Sequence, residues 1–237
     1  MKTKSFYLSM LFVLVTITSC KKETVRQPDS SYNPVILAAN FTNSTNLTNP
    51  YFPYPVGKKY IYEATTPEGL EHIEYEHLAS TKTVLGISCV VILDKVWVAG
   101  KLVEKTFDWY AQDNAGNVWY MGEDVENYKP DGSLLDKDGS WEAGVNGGKP
   151  GYIMLATPAV GNAYRQEYLF NEAEDKAEVV EKGITVTVPL GTYTNCIKTK
   201  EWTELEPGVV QYKYYAPAIG LIKDTKDNVN LVLLQIQ

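Results

Sequence analysis

The hexapeptide Pro55-Val56-Gly57-Lys58-Lys59-Tyr60 returns 104 residues later as Ala159-Val160-Gly161-Asn162-Ala163-Tyr164. Leu85-Gly86 then matches Leu190-Gly191, and Trp109-Tyr110-Ala111 matches Tyr214-Tyr215-Ala216. Gly116 falls near Gly220 at a similar offset. Matches in one order at nearly one separation predict two similar halves, residues 51–150 and 151–237. Two copies are too few for a solenoid, which needs at least ~3 repeats to bury a continuous core. The halves are therefore expected to share one sheet, or to face each other as two curved sheets.

The residues within each half name the class. From Tyr51 onward Tyr, Val, Ile, Thr and Trp are frequent, and Gly, Pro, Asn and Asp punctuate short runs. KKYIYEAT, EHIEYEHLAS, CVVILDKVWV and KTFDWYAQD read as strands, and long amphipathic helical patterns are missing. The expected fold is mainly β: antiparallel curved sheets built from two similar meander halves, barrel-like or half-barrel-like. Residues 51–237 are long enough for one sizeable core and are read as a single domain.

DWYAQDNAGNVWYMGED, residues 108–124, reads as a hairpin with Gly116 in the left-handed conformation of a three-residue loop. Pairs then run outward as Gln112–Val118, Ala111–Trp119, Tyr110–Tyr120 and Trp109–Met121. Because successive side chains alternate between faces, Phe107, Trp109, Ala111, Trp119 and Met121 share one face. That face is predicted to pack inward. The other carries Asp108, Tyr110, Gln112, Val118 and Tyr120. Asp108, Tyr110, Gln112 and Tyr120 are the candidate ligand-binding residues. Two tyrosines beside a carboxylate and an amide suit a sugar ring or a flat apolar ligand, and equally suit a hydrated sheet face.

The first residues, MKTKSFYLSMLFVLVTITSCKK, join a basic start to an apolar run shorter than the ~20 residues a membrane span needs. This describes an export leader, residues 1–19. Ile17-Thr18-Ser19-Cys20 resembles the lipobox of bacterial lipoproteins, which implies that Cys20 becomes the acylated first residue and holds the protein on a membrane. Residues 20–50, rich in Asn, Thr, Ser and Pro, read as a flexible tether. Removing residues 1–19 moves the net charge from −7 to −9, because Lys2 and Lys4 leave with no acid. An acidic body repels phosphate backbones, so nucleic acid is not an expected partner. Cys89 and Cys196 sit in apolar or β-branched surroundings and are expected to be unpaired core residues.

Catalytic and metal motifs are sparse. His72 and His77 in EHIEYEH point to opposite faces of a strand and cannot jointly hold a metal there. Asp136-Lys137-Asp138-Gly139 is part of a calcium loop without its remaining ligands, and reads as a hydrated turn. No cofactor or metal is expected. Asp108, Glu123, Glu142, Glu167, Glu174 and Asp175 are the candidates for a glycosidase-like carboxyl pair. Arg165 and Glu167 would alternate onto one face as an ion pair.

DWYAQDNAGNVWYMGED, GSWEAG, YRQEY and YYAPAIGLI together resemble an uncharacterised family of exported bacterial all-β lipoproteins over most of residues 51–224. The leader and tether resemble those of Bacteroidota lipoproteins. The resemblance implies a place on the outer membrane, periplasmic or surface-exposed, and no reaction or ligand. The functional expectation is a non-enzymatic binding module for a glycan or apolar ligand. The alternatives are an assembly lipoprotein that binds another envelope protein, and a carboxylate hydrolase.

Overall fold

A computed structural model of the chain describes residues 26–237; the leader and the expected acylation site Cys20 lie outside the described residues. The strands are β1 (Lys59–Thr66), β2 (Gly69–Val84), β3 (Ile87–Val98), β4 (Lys101–Gln112), β5 (Val118–Tyr128), β6 (Leu134–Asp136), β7 (Trp141–Glu142) and β8 (Lys149–Met154). They continue as β9 (Ala163–Arg165), β10 (Glu167–Tyr168), β11 (Asp175–Val188), β12 (Gly191–Thr203), β13 (Gln211–Ala216), β14 (Gly220–Lys226) and β15 (Val229–Ile236). All pair antiparallel in the order β10-β8-β5-β4-β3-β2-β1-β15-β14-β13-β12-β11-β9, with β6 and β7 beside β5. The sheet is nearly closed into a barrel with one seam. Among the described residues no helix is long and apolar enough to cross a membrane.

Particular hydrogen bonds and bulges recur between the two stretches matched in the sequence. Before β1, Gly57 N–H donates to His77 O (2.8 Å) and His77 N–H to Lys58 O (3.3 Å). Before β9, Gly161 N–H donates to Val179 O (2.8 Å) and Val179 N–H to Asn162 O (2.9 Å). The β4–β5 ladder bulges between Trp109 and Tyr110, and the β13–β14 ladder bulges at the matching step between Tyr214 and Tyr215. One sequence match shifts. Ala111 opposes Trp119 while Ala216 opposes Gly220, so Gly220 stands where Trp119 does and not where Gly116 does. The first hairpin loop is simply longer.

The seam is held by one kinked segment. β9 lies along β11 and β10 lies along β8, with only Gln166 between them, and Gln166 N–H donates to Asp175 O (2.8 Å). Gly151 on β8 has no Cβ for a reason: one there would sit 2.3 Å from Arg165 O. Arg165 and Glu167 therefore do not form the expected pair. Arg165 reaches Asp29 at 2.7 Å, and Glu167 turns to the interior.

Residues 26–50, expected to be a flexible tether, are packed on the body. Residues 26–32 lie across the seam: Tyr32 OH donates to Pro150 O (2.7 Å), Asp29 N–H to Tyr168 OH (2.5 Å), and Arg26 pairs with Glu174. Residues 44–54 cross one end of the barrel. They begin at first-half turns, where Ser44 O accepts from Gln112 N–H (2.8 Å) and Ser44 Oγ donates to Ser88 O (2.6 Å). They finish at second-half turns, where Tyr51 OH donates to Asn195 O (3.0 Å) and Pro50 O accepts from Ala218 N–H (2.7 Å). Polar composition looks like a linker, but here the polar groups satisfy backbone groups at the barrel end. Cys89 and Cys196 are buried, unpaired thiols and belong to the hydrophobic core.

Candidate functional site

The chamber follows from alternation along the strands. On β4 the inward positions are Glu104, Thr106, Asp108 and Tyr110, each pair of residues advancing ~6.6–6.8 Å along the strand. Tyr110 meets the plug, where Phe52 packs on it edge-to-face with ring centroids 4.9 Å apart. Phe52 also packs on Tyr54, and Tyr54 on Tyr60 and Tyr75. This aromatic floor closes one end. Away from it the side chains become acidic and less buried, from Asp108 to Glu104. The cavity has a volume of about 170 Å³. At ~10–15 Å³ per water on this measure, it holds on the order of ten waters or a ligand of similar size.

Among the described residues seven carboxylates line it, Asp94, Glu104, Asp108, Glu123, Glu167, Asp175 and Asp224, against one cation, Lys213. Burial, reinforced by Glu104 and Glu123, pushes Asp94 up to about 8. Burial and then Asp108 push Glu123 up to about 8. Asp108 and Glu167 are raised well above the ordinary carboxylate range, first by burial and then by Asp94 and by Asp175 respectively. Tyr120 OH donates to Asp108 Oδ1 at 2.5 Å and offsets only part of this. Burial raises Asp224 to about 6, with Lys213 pulling the other way. For Lys213 itself burial opposes the charge, but Glu201 and Asp224 more than restore it.

Several interior polar atoms have no hydrogen-bond partner. They include Asp94 Oδ1, Asp224 Oδ1, Gln166 Nε2 and Glu167 Oε2, the last near the equally unpaired Trp141 indole N–H. An unpaired buried polar group costs roughly 1–3 kcal/mol, so the chamber is built to be occupied by water or by a ligand. Among the described residues no group of His, Cys, Asp and Glu is arranged to hold a metal ion. His72 Nδ1 lies 3.0 Å from Glu63, and the buried His77 Nδ1 lies 2.6 Å from Tyr54 O.

The predicted hairpin register holds at Tyr110–Tyr120, Ala111–Trp119 and Gln112–Val118, but Trp109 opposes Gly122 because Met121 is bulged out of the ladder. The face assignment is reversed. Asp108, Tyr110 and Tyr120 point into the chamber, and Tyr110 and Tyr120 stack with centroids 4.8 Å apart. The indoles lie on the opposite, outer face and are buried there by other means. Phe41 and Tyr152 cover Trp119, whose N–H donates to Asp113 at 2.9 Å. Lys82 Nζ sits 4.6 Å from the Trp109 ring. Gln112 is not in the chamber: its Oε1 accepts from Thr48 and Asn49 N–H, both at 2.8 Å, and fastens the plug.

Of the six carboxylates picked out in the sequence, Asp108, Glu123, Glu167 and Asp175 meet in the chamber. Glu142 pairs with Lys82 at 3.1 Å, and Glu174 with Arg26. Asp94, Glu104, Lys213 and Asp224 were missed. The available signal was a charge inside an apolar or aromatic strand, as in VVILDKVWV and QYKYYA.

No family model matches the chain, and no curated protein matches it. Among solved structures it is similar to an inferred exported protein with a YmcC-like fold from Bacteroides fragilis, at 17% identity and TM-score 0.44, over 79% of this chain and 98% of that one. It is also similar to an inferred lipoprotein from Parabacteroides distasonis, at 15% identity and TM-score 0.43, over 80% and 99%. Likeness at this level carries no inference about ligand or role.

Proposed function

We propose that the chain is a lipid-anchored binding module of the bacterial cell envelope, tethered through Cys20, whose barrel takes a small polar ligand into its acidic chamber. The supporting observation is the chamber itself, with Asp94, Gln166, Glu167 and Asp224 presenting unpaired polar atoms to one enclosed space beside a tyrosine wall. An apolar ligand fits this poorly, since seven carboxylates line the space and burying them against hydrocarbon would leave them unsatisfied. A glycan or another hydrogen-bonding ligand fits better. The packing of residues 26–50 leaves only residues 21–25 between the body and Cys20, so the chamber would be held close to the membrane surface.

A thermal-shift screen of the mature protein in detergent, against glycans, amines, fatty acids and metal salts, tests the reading. Stabilisation by a polar ligand, lost in the Asp108→Asn and Glu167→Gln variants, is the expected result. No stabilisation by any of them would leave the assembly role, with an envelope protein as partner, as the better account. Radiolabelled palmitate incorporated into the native chain and not into the Cys20→Ser variant checks the anchor.

A further inference from the structure

The two half-barrels place charges at the same three positions and choose opposite signs at the middle one. In the second half, Glu201 opposes Gln211 on the next strand, and Lys213 opposes Asp224. Lys213 Nζ lies 2.8 Å from Glu201 Oε2, so an ammonium sits between acids contributed by β12 and β14. In the first half the same register has Asp94 opposing Thr106, and Asp108 opposing Glu123. Asp94 therefore corresponds to Glu201, Glu123 to Asp224, and Asp108 to Lys213. Three acids stand where the other half has acid, lysine, acid.

Among the described residues no cation of the first half lines the chamber, and Lys213 reaches Asp94 only from the other half. The hydrogen bond from Tyr120 OH serves one oxygen of Asp108, and Asp94 Oδ1 has no partner. The nearest wall adds the carboxyl of Glu167, a residue only 2% exposed, whose Oε2 only the Trp141 indole N–H approaches among the described residues. Beside these acids stand the rings of Tyr75, Tyr110 and Tyr120. Ring faces attract cations, and an organic cation more than a small, tightly hydrated metal ion needs such a wall.

We propose that Asp94, Asp108 and Glu123 hold the ammonium group of a small organic amine, which takes in the first half the place that Lys213 takes in the second. This deepens the binding-module reading and rests on it. The ligand class is a primary alkylamine or diamine, because the internal counterpart is a primary ammonium on an alkyl stem. Two further carboxylates, Glu104 on β4 and Glu167 on β10, would meet a second amino group.

Calorimetric titration of the mature protein in detergent with n-butylamine, 1,4-diaminobutane, tetramethylammonium, calcium chloride and a neutral disaccharide tests this. The diamine should bind most tightly, and the Asp94→Asn/Glu123→Gln double variant should weaken it on the order of thirtyfold or more. The decisive variant is Asp108→Lys, which copies the second half. It should abolish amine binding while raising the melting temperature of the ligand-free protein. If it fails to fold, the same loss of binding is read from Asp108→Asn, whose circular dichroism and melting should match the parent. Binding of the disaccharide or of calcium, with none of the amines, would overturn the amine assignment and keep the binding module. Silence from every ligand would overturn both.

Discussion

The second half of the barrel sets a lysine between its β12 and β14 acids; the first half sets a third acid at that place. Both share one backbone plan, with matching entry turns and matching bulges, so the difference lies in side chains at equivalent positions. In the second half Lys213 is pinned by Glu201, whose own Oε1 accepts from Thr199 Oγ1 at 2.8 Å. In the first half Asp94, Glu104 and Glu167 crowd Asp108, and among the described residues the Tyr120 hydroxyl gives it its one side-chain hydrogen bond. A charge that is paired internally is a structural element. Crowded like charges in a cavity cost stability, and such a cost persists where an outside partner repays it. The comparison thus separates a half with a paired lysine at its centre from a half with an aspartate there.

Removing the internal cation should break the contrast most severely. Lys213→Met strands Glu201, which is only 7% exposed, and removes the opposing charge from Asp224. A loss of about 3 kcal/mol at neutral pH is expected, read from urea unfolding. The loss should shrink in acid, as the stranded carboxylates take up protons.

The pH profile sharpens the same contrast. Asp94 and Glu123 titrate near 8 in the folded protein and in the ordinary carboxylate range when unfolded. The native state therefore holds more protons than the unfolded state across that interval, and stability must fall as pH rises through it. Glu104, Asp108, Glu167, Asp175 and Asp224 face the same space, and Lys213 is the one cation lining it among the described residues; His77, which burial holds below the usual imidazole range, contributes the opposite slope but is a single group against Asp94 and Glu123. The ligand-free protein should melt several degrees lower at about pH 8.5 than at about pH 5. In Asp94→Asn that slope should be shallower. A profile rising with pH would mean that the first half carries a counter-charge after all.

How far this could be read in the sequence depended on the scale of the feature. Strand alternation and turn residues betrayed the meander, and the recurrence of Val-Gly and Tyr-Ala at nearly one spacing pointed to two halves. Opposite-residue arithmetic gave the Tyr110–Tyr120 pair. Alternation says which side chains share a face, however, and not which face is inside. Indoles look more like core than Tyr, Asp and Gln do, yet a barrel wall whose outside is covered buries both faces. The covering segment was itself disguised, because Thr48 and Asn49 in a polar stretch look the same whether they meet water or Gln112. The chamber was least legible. Its acids come from six strands and acquire meaning only when the barrel brings them together. The match of Trp109-Tyr110-Ala111 to Tyr214-Tyr215-Ala216 nevertheless already set Asp108 over Lys213.

The plug offers the finest test, because it is tied to the two halves by unequal means. On the first-half side the Gln112 side chain closes three hydrogen bonds, accepting from Thr48 and Asn49 N–H at 2.8 Å each and donating to Thr48 Oγ1 at 2.7 Å. Gln112 is 8% exposed, so water cannot readily replace it. Gln112→Ala should cost about 2 kcal/mol, since two backbone donors lose their acceptor. On the second-half side the side-chain ties are single hydrogen bonds from three residues: Tyr51 OH donates to Asn195 O at 3.0 Å, Tyr54 OH accepts from Leu221 N–H at 3.1 Å, and Asn49 Nδ2 donates to Leu155 O at 3.0 Å. Tyr51→Phe keeps the ring packed and removes only that bond, for about 1 kcal/mol. Hydrogen exchange should then show Asn49 N–H opening in the first variant and staying protected in the second. Equal exposure of that amide in both would mean that the plug detaches as one unit, and that the halves grip it alike.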